Sequence, residues 1–368
     1  MATSLAELPP ELLEMIAAEL EETNQLISLR SAKISELEDI CNVPRLAAQV
    51  KRLEVLCDPE EELARIPTGF HGLAEPDHES FASAVGLALQ HCPNLKEIDF
   101  TDQKSDAPTK PAKWGPDLLE LHFDISATFA AVMSALEAQG RRPVAVRIYT
   151  RGTSEVGIVE TGRLPYLTSS LTMTEVLAVN VLTHPNLNST IGPKIGSDLS
   201  ITLQRCLHLK TLSLGVAYGS QACATFHHIA SSVRLSCLED FTLFYTSCDD
   251  HDLSLFLLAH STTLQRCTFD FLKICESSPT GVADILDLMR TRLRLSKVIV
   301  QNLEAMDCII DFPGTVSDAG EMFCFDTTDE GGWLDVVRER KVLLEGHDEV
   351  QQGLPQMQKC LKRRMNRT

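Results

Sequence analysis

Short stretches of this chain repeat one arrangement of apolar and polar positions: a leucine, then two further apolar residues three and five places on. The pattern occurs at Leu95, Ile98 and Phe100, and again at Leu118, Leu121 and Phe123. It returns at Leu209, Leu212 and Leu214, at Leu238, Phe241 and Leu243, and at Leu264, Cys267 and Phe269. A later copy is Leu295, Val298 and Val300, and a looser early one is Val50, Leu53 and Val55. The last two positions of each copy are two apart, which places both side chains on one face of a strand. The residue between them is mostly polar, as at Asp99, His122, Ser213, Thr242 and Thr268. Each copy therefore predicts a short, half-buried strand that the leading leucine enters from the preceding turn.

Helical patterns fill the intervals. Phe81, Val85, Leu87, Ala88 and Leu89 precede one copy, and Leu199, Ile201, Leu203 and Cys206 precede another. Leu253 to Leu258 precedes a third, with Asp249 to Asp252 as its acidic N-terminal cap. Val282, Ile285, Leu286 and Met289 stand at i, i+3, i+4 and i+7 ahead of the copy at Leu295. Thr128 to Gln139 predicts a helix, while Val144 to Tyr149 and Met173 to Val181 predict strands. Gly152, Gly157, Gly162 and Pro165 mark an irregular insertion near 150–172. Trp333 to Leu344 predicts a helix, and the residues after Gly346 a mobile tail.

The copies at Leu209, Leu238, Leu264 and Leu295 are 29, 26 and 31 residues apart. Leucine-rich repeats run at about 20–29 residues, one strand and one helix each. Strand–helix alternation also suits a doubly wound α/β domain. The recurrence of the leucine pattern favours the former. The expectation is an α/β fold, an irregular leucine-rich-repeat-like solenoid with parallel strands on one face and helices on the other.

The N-terminus carries a different signal. Leu8-Pro9-Pro10-Glu11-Leu12-Leu13 opens a helix whose apolar stripe is Leu12, Leu13, Ile16, Ala17 and Leu20. Leu26, Ile27 and Leu29 predict a second short helix ending at Arg30. The segment from Leu8 to Arg30 resembles the start of an F-box, and the remainder resembles the leucine-rich bodies of fungal F-box proteins. The chain runs from Arg30 directly into Ser31-Ala32-Lys33, without the further helix that ordinarily completes the motif. The resemblance implies docking on the Skp-type adaptor of a cullin–RING ubiquitin ligase. Leu8, Pro9, Leu12, Leu13, Ile16 and Leu20 would face the adaptor, and the repeats would hold a protein substrate. The alternative is a leucine-rich-repeat scaffold with no ligase connection, its N-terminal helices serving as a cap.

Charge narrows the partners. Fifty-one acidic against 33 basic residues give a net charge of −18, which disfavours nucleic acid and anionic lipid surfaces. The basic run of Lys359, Lys362, Arg363, Arg364 and Arg367 reads as a solvated terminus. Without a signal-like or membrane-spanning stretch, the chain is expected in the cytoplasm or nucleus. The twelve cysteines form no C-x-x-C pair, and Cys206, Cys237 and Cys267 fall inside apolar periods, as buried reduced thiols do. Cys223 and His227 have a zinc-compatible spacing but bring no two further ligands, so no metal is expected. No phosphate loop or nucleophile elbow occurs, and neither a cofactor nor enzymatic chemistry is expected. The organisation read from the sequence is an incomplete F-box-like helical segment at 1–45, a repeat body at 46–318, and a C-terminal helix with a mobile basic tail at 319–368.

Overall fold

The computed structural model describes residues 26–30, 41–57, 86, 89–102, 126–148, 171–181, 191–216, 220–275, 281–301, 303–305, 308–309, 321–325, 334–338 and 341–365. These divide into two compact units, the first ending at Val179 and the second beginning at Asn180. Both are mixed α/β structures in which most neighbouring strands run parallel.

The first unit contains β1 (Leu26–Arg30), α1 (Pro44–Ala47), β2 (Arg52–Cys57), β3 (Glu97–Asp102), α2 (Ser126–Ala138), β4 (Ala145–Ile148) and β5 (Val176–Val181). Its strands pair in chain order, each parallel to the next. Leu53, Ile98, Val146 and Leu177 lie across from one another, as do Val55, Phe100 and Ile148 one step along. All seven are buried. The helix α2 buries Phe129, Val132, Met133 and Leu136, one stripe at helical spacing. Phe129 meets Phe100 with ring centroids 5.1 Å apart, so α2 covers the apolar face of the sheet.

Leu26–Arg30 is a strand and not the short helix that its leucines predict. It lies parallel to β2, with Leu26 opposite Arg52 and Arg30 opposite Leu56. Five residues are too few to hold a helix unaided, whereas the edge of β2 offers them a row of backbone partners.

The second unit contains α3 (Ile191–Arg205), β6 (Thr211–Val216), α4 (Ser220–Ser232), β7 (Asp240–Asp249), α5 (Asp250–Ala259), β8 (Arg266–Cys275), α6 (Gly281–Arg292) and β9 (Lys297–Gln301). Then come the two-residue strands β10 (Glu304–Ala305) and β11 (Cys308–Ile309), the strands β12 (Glu321–Phe325), β13 (Leu334–Arg338) and β14 (Lys341–Glu345), and α7 (His347–Met365). β6 to β9 pair in parallel, while β12 and β13 form an antiparallel pair. The core row is Leu212, Phe241, Cys267 and Val298, followed by Leu214, Leu243, Phe269 and Val300. Phe256 of α5 lies 4.6 Å from the Phe241 ring and 5.9 Å from that of Phe226 on α4. Fully burying each of these side chains contributes roughly 1.5–3 kcal/mol.

The expected helix at Trp333–Leu344 is replaced by β13 and β14. Val342 and Leu344 are buried and stand opposite Val300 and Val298 on antiparallel β9. A two-residue period and an open strand edge outweigh helix propensity there. The residues after Gly346, expected to be mobile, form α7. Gly346, at φ 95°, turns the chain, and α7 then buries Val350, Leu354 and Met357.

A common turn precedes most strands. In the first unit the Lys51 carbonyl accepts the N–H groups of Lys96 and Glu97, Lys96 those of Val144 and Ala145, and Val144 those of Glu175 and Val176. In the second, Lys210, Glu239 and Gln265 each accept two N–H groups from the next strand entrance. The backbone thus repeats where the sequence pattern repeats.

Candidate protein-binding face

The side chains between the buried strand positions form a second face. In the first unit it is charged. Glu54, Asp99 and Arg147 occupy one cross-strand row, with Arg52 and Glu97 in the row before. Asp99 is fully buried, its carboxylate accepting from Arg52 Nε on β2 and from Arg147 Nη1 on β4 at 3.2 Å. Arg147 Nη1 also donates to Glu97 Oε2 at 2.8 Å. Burial works against its charge, but the carboxylates of Glu97 and Asp99 more than offset that and raise its pKa. A buried carboxylate between two guanidiniums satisfies the rule that buried charge must be paired.

In the second unit the corresponding rows are half-buried. The first contains Thr211, Asp240, Arg266 and Lys297, with Glu345 beyond it on β14. Arg266 donates to Asp240 at 2.8 Å and Lys297 to Glu345 at 3.1 Å. Such solvent-facing pairs add only about 0–1 kcal/mol each. The next row is Ser213, Thr242, Thr268, Ile299 and Leu343, with Phe244 one step further. Hydroxyls, paired charges and half-exposed apolar groups on a rigid sheet suit contact with another protein.

The strands β7 and β8 extend this face. Both reach ten residues and change alternation midway. Cys267 and Phe269 are buried before Phe271, and Leu272 and Ile274 after it. Phe271 has φ 50°, a left-handed conformation uncommon for an aromatic residue, and it shifts the strand by one position. Tyr245 of β7 is skipped at the same place, so pairing resumes at Thr246 and Leu272. Thr246 Oγ1 accepts the Val216 N–H at 2.6 Å and fastens the end of β6 to the shifted segment.

The residues singled out in the sequence fall in several places. Leu8, Pro9, Leu12, Leu13, Ile16 and Leu20 lie outside the described residues, as do the copy at Leu118–Phe123 and nearly all of the 150–172 insertion. Asp249 occupies the N-cap of α5 but makes no side-chain cap bond. Asp250 instead accepts the His251 N–H at 2.8 Å, and Asp252 is buried against His227 Nδ1 at 2.9 Å. His227 therefore faces a carboxylate on the neighbouring helix. Among the described residues, no group of three or more His, Cys, Asp or Glu side chains is placed to hold a metal. Cys206 and Cys267 are buried, and burial pushes the Cys206 thiol up to about 12 and raises that of Cys267. Cys237, by contrast, is half-buried. A shallow depression of about 300 Å³ on the helix layer is lined by Leu258 of α5 and by Asp284, Asp287, Leu288, Thr291 and Arg292 of α6. No helix among the described residues is long and apolar enough to cross a membrane.

What the leucine pattern passes over is the residue just before its second apolar position: Arg52, Glu97, Asp240, Arg266 and Lys297. It is charged in copy after copy, and that recurrence is the signal that marks the face.

No family model matches the chain, and no curated protein matches it. Among solved structures, one similar to this chain is a crystal structure of the Rad7 and Elc1 complex in yeast. The identity is 10%, over 79% of this chain and 89% of that one, with a TM-score of 0.20. A likeness at that score carries no argument about this protein.

Proposed function

We propose that this chain is a non-enzymatic, intracellular protein-binding receptor of the leucine-rich-repeat kind, which holds a protein substrate on its strand face. The carrying observation is the asymmetry of the sheets: one face is apolar and helix-covered, and the other bears rows of charge, hydroxyl and apolar groups on fixed strands. The repeated turn supports the solenoid reading, since each strand entrance hydrogen-bonds the last in the same way. The net charge of −18 favours a protein partner over nucleic acid.

The finer reading is a substrate receptor of a cullin–RING ubiquitin ligase, with Leu8, Pro9, Leu12, Leu13, Ile16 and Leu20 docking on a Skp-type adaptor. Its support is the F-box-like sequence of that segment. Tethering then raises the effective concentration of substrate near the ligase. The test is size-exclusion chromatography of the full chain with recombinant Skp adaptor. Co-elution that Ile16→Asp abolishes supports the ligase reading; separate elution of well-folded protein sinks it.

One observation favours a scaffold without a ligase connection. Leu26, Leu29 and Arg30, which complete the F-box-like pattern, belong to β1 and pair with β2. On that reading the N-terminal residues cap the sheet, and deleting 1–30 makes the protein insoluble. A soluble, folded deletion product argues against the cap.

A further inference from the structure

We propose that Cys41 and Cys92 are a peroxide-oxidisable thiol pair that closes to a disulfide and staples the first unit. Their sulfurs lie 3.4 Å apart although the residues are 51 positions apart in sequence. Both side chains are buried. A disulfide needs an S–S separation of about 2.05 Å, so the sulfurs need to approach by only about 1.4 Å.

The surrounding backbone already holds the pair in place. Cys92 lies in the turn before β3, its N–H bonded to the Leu89 carbonyl and its own carbonyl to the Leu95 N–H. Asn94 of that turn donates to the Ala48 carbonyl at 2.6 Å, just after α1. Lys96 and Glu97 both donate to the Lys51 carbonyl. The segments bearing the two sulfurs are thus clamped together without the sulfur contact, and oxidation requires no refolding of either.

The chemistry sets Cys92 apart from the other buried thiols. The Cys41 contact lowers its pKa, burial raises it, and the nearby Arg141 cation lowers it again, for a net lowering. Arg141 is held there by bonds to the Pro93 and Gln90 carbonyls at 3.1 and 3.3 Å. Cys206, Cys248 and Cys267 are instead pushed up, with burial the main cause. Thiolate character decides which thiol a peroxide oxidises first.

The Cys92 thiolate attacks one oxygen of hydrogen peroxide. An S–O bond forms, the O–O bond breaks, and hydroxide leaves to be protonated to water. Cys41 then loses its proton and attacks the sulfenic sulfur; the S–S bond forms, the S–O bond breaks, and a second water leaves. The two sulfurs give up two electrons and the peroxide accepts them.

The test uses the full chain, reduced, freed of reductant and titrated with hydrogen peroxide. Samples are acid-quenched, denatured, alkylated and mapped by mass spectrometry. The expected result is a Cys41–Cys92 cross-linked peptide about 2 Da lighter than its reduced parts, forming before Cys206 or Cys267 reacts. Cys41→Ser should leave Cys92 as a sulfenic acid that dimedone traps, and Arg141→Gln should slow oxidation about threefold or more. The oxidised protein should melt about 5 °C or more above the reduced one. Reaction of other cysteines while Cys41 and Cys92 remain free, or Cys92 pairing elsewhere, overturns the proposal. The wild-type map alone decides this if the Cys41→Ser variant does not fold.

Discussion

His260 connects two successive turns of the second unit, and replacing it with leucine should destabilise the protein by about 3 kcal/mol. The ring is 1% exposed. Its Nε2 accepts the Leu235 N–H at 3.0 Å, and its Nδ1 lies 2.7 Å from the Phe256 carbonyl. Nδ1 must therefore carry the proton and Nε2 the lone pair, which fixes a neutral tautomer. Leucine conserves most of the volume and the packing against Phe256, whose ring centroid is 4.3 Å from that of His260. It strands the N–H of Leu235 and the carbonyl of Phe256 in the interior, each at about 1–3 kcal/mol. Glutamine can still accept from Leu235 and should recover part of the loss.

The pH dependence follows from the same contacts. Burial lowers the pKa of His260 below its ordinary value of 6.5, the Phe256 bond opposes this, and the nearby Arg234 charge adds to the lowering. A proton on Nε2 would also break the bond from Leu235. The unfolded chain then binds a proton that the folded one refuses, so stability is full above about pH 6.5 and declines below it until the folded pKa is passed. Urea unfolding of wild type and His260→Leu at several pH values between 5 and 8 tests both statements. The difference between the proteins should shrink as pH falls through that window. A variant within 0.5 kcal/mol of wild type at pH 8, or the same pH slope in both proteins, refutes the reasoning.

Two further substitutions probe packing and charge. Asp99→Ala leaves the guanidiniums of Arg52 and Arg147 without their shared buried carboxylate; urea unfolding should show a loss of about 2–4 kcal/mol. Gly196→Ala places a Cβ 2.8 Å from the Thr225 carbonyl and 2.7 Å from His228 Cβ, where α3 and α4 touch, and should cost about 1–3 kcal/mol in the same assay.

Much of the parallel sheet was legible because the leucine pattern records a physical period. Leu212 and Leu214, or Val298 and Val300, are both buried because they sit two apart on a pleated strand. The helices α2, α5 and α6 were legible for the same reason at their own period. Ile201 of α3 was misread as core: it is 39% exposed, while Thr202 beside it is buried and donates to the Asp198 carbonyl. Where partners decide the structure, the sequence was silent. Leu26–Arg30 and Leu334–Arg338 are too short to declare a period, and each becomes a strand because another strand lies beside it. The full length of β7 and β8 was hidden by the break at Tyr245 and Phe271, which interrupts the alternation that marks a strand. The charged row was visible residue by residue, but the link from Arg52 through Asp99 to Arg147 depends on register, which no single copy of the pattern records.

The central claim is that partners bind the strand face and not the helix layer. It is tested most directly by comparing two full-length variants as baits for protein partners from a cell extract, quantified by mass spectrometry. One carries Thr242→Arg and Thr268→Arg on the half-buried strand row, and the other Leu207→Lys and Leu258→Lys at exposed positions away from it. With both variants shown to fold by circular dichroism, the strand-face variant should lose the specific partners that wild type retains, and the second should keep them. Loss of those partners only in the second variant, or retention in both, would contradict the account.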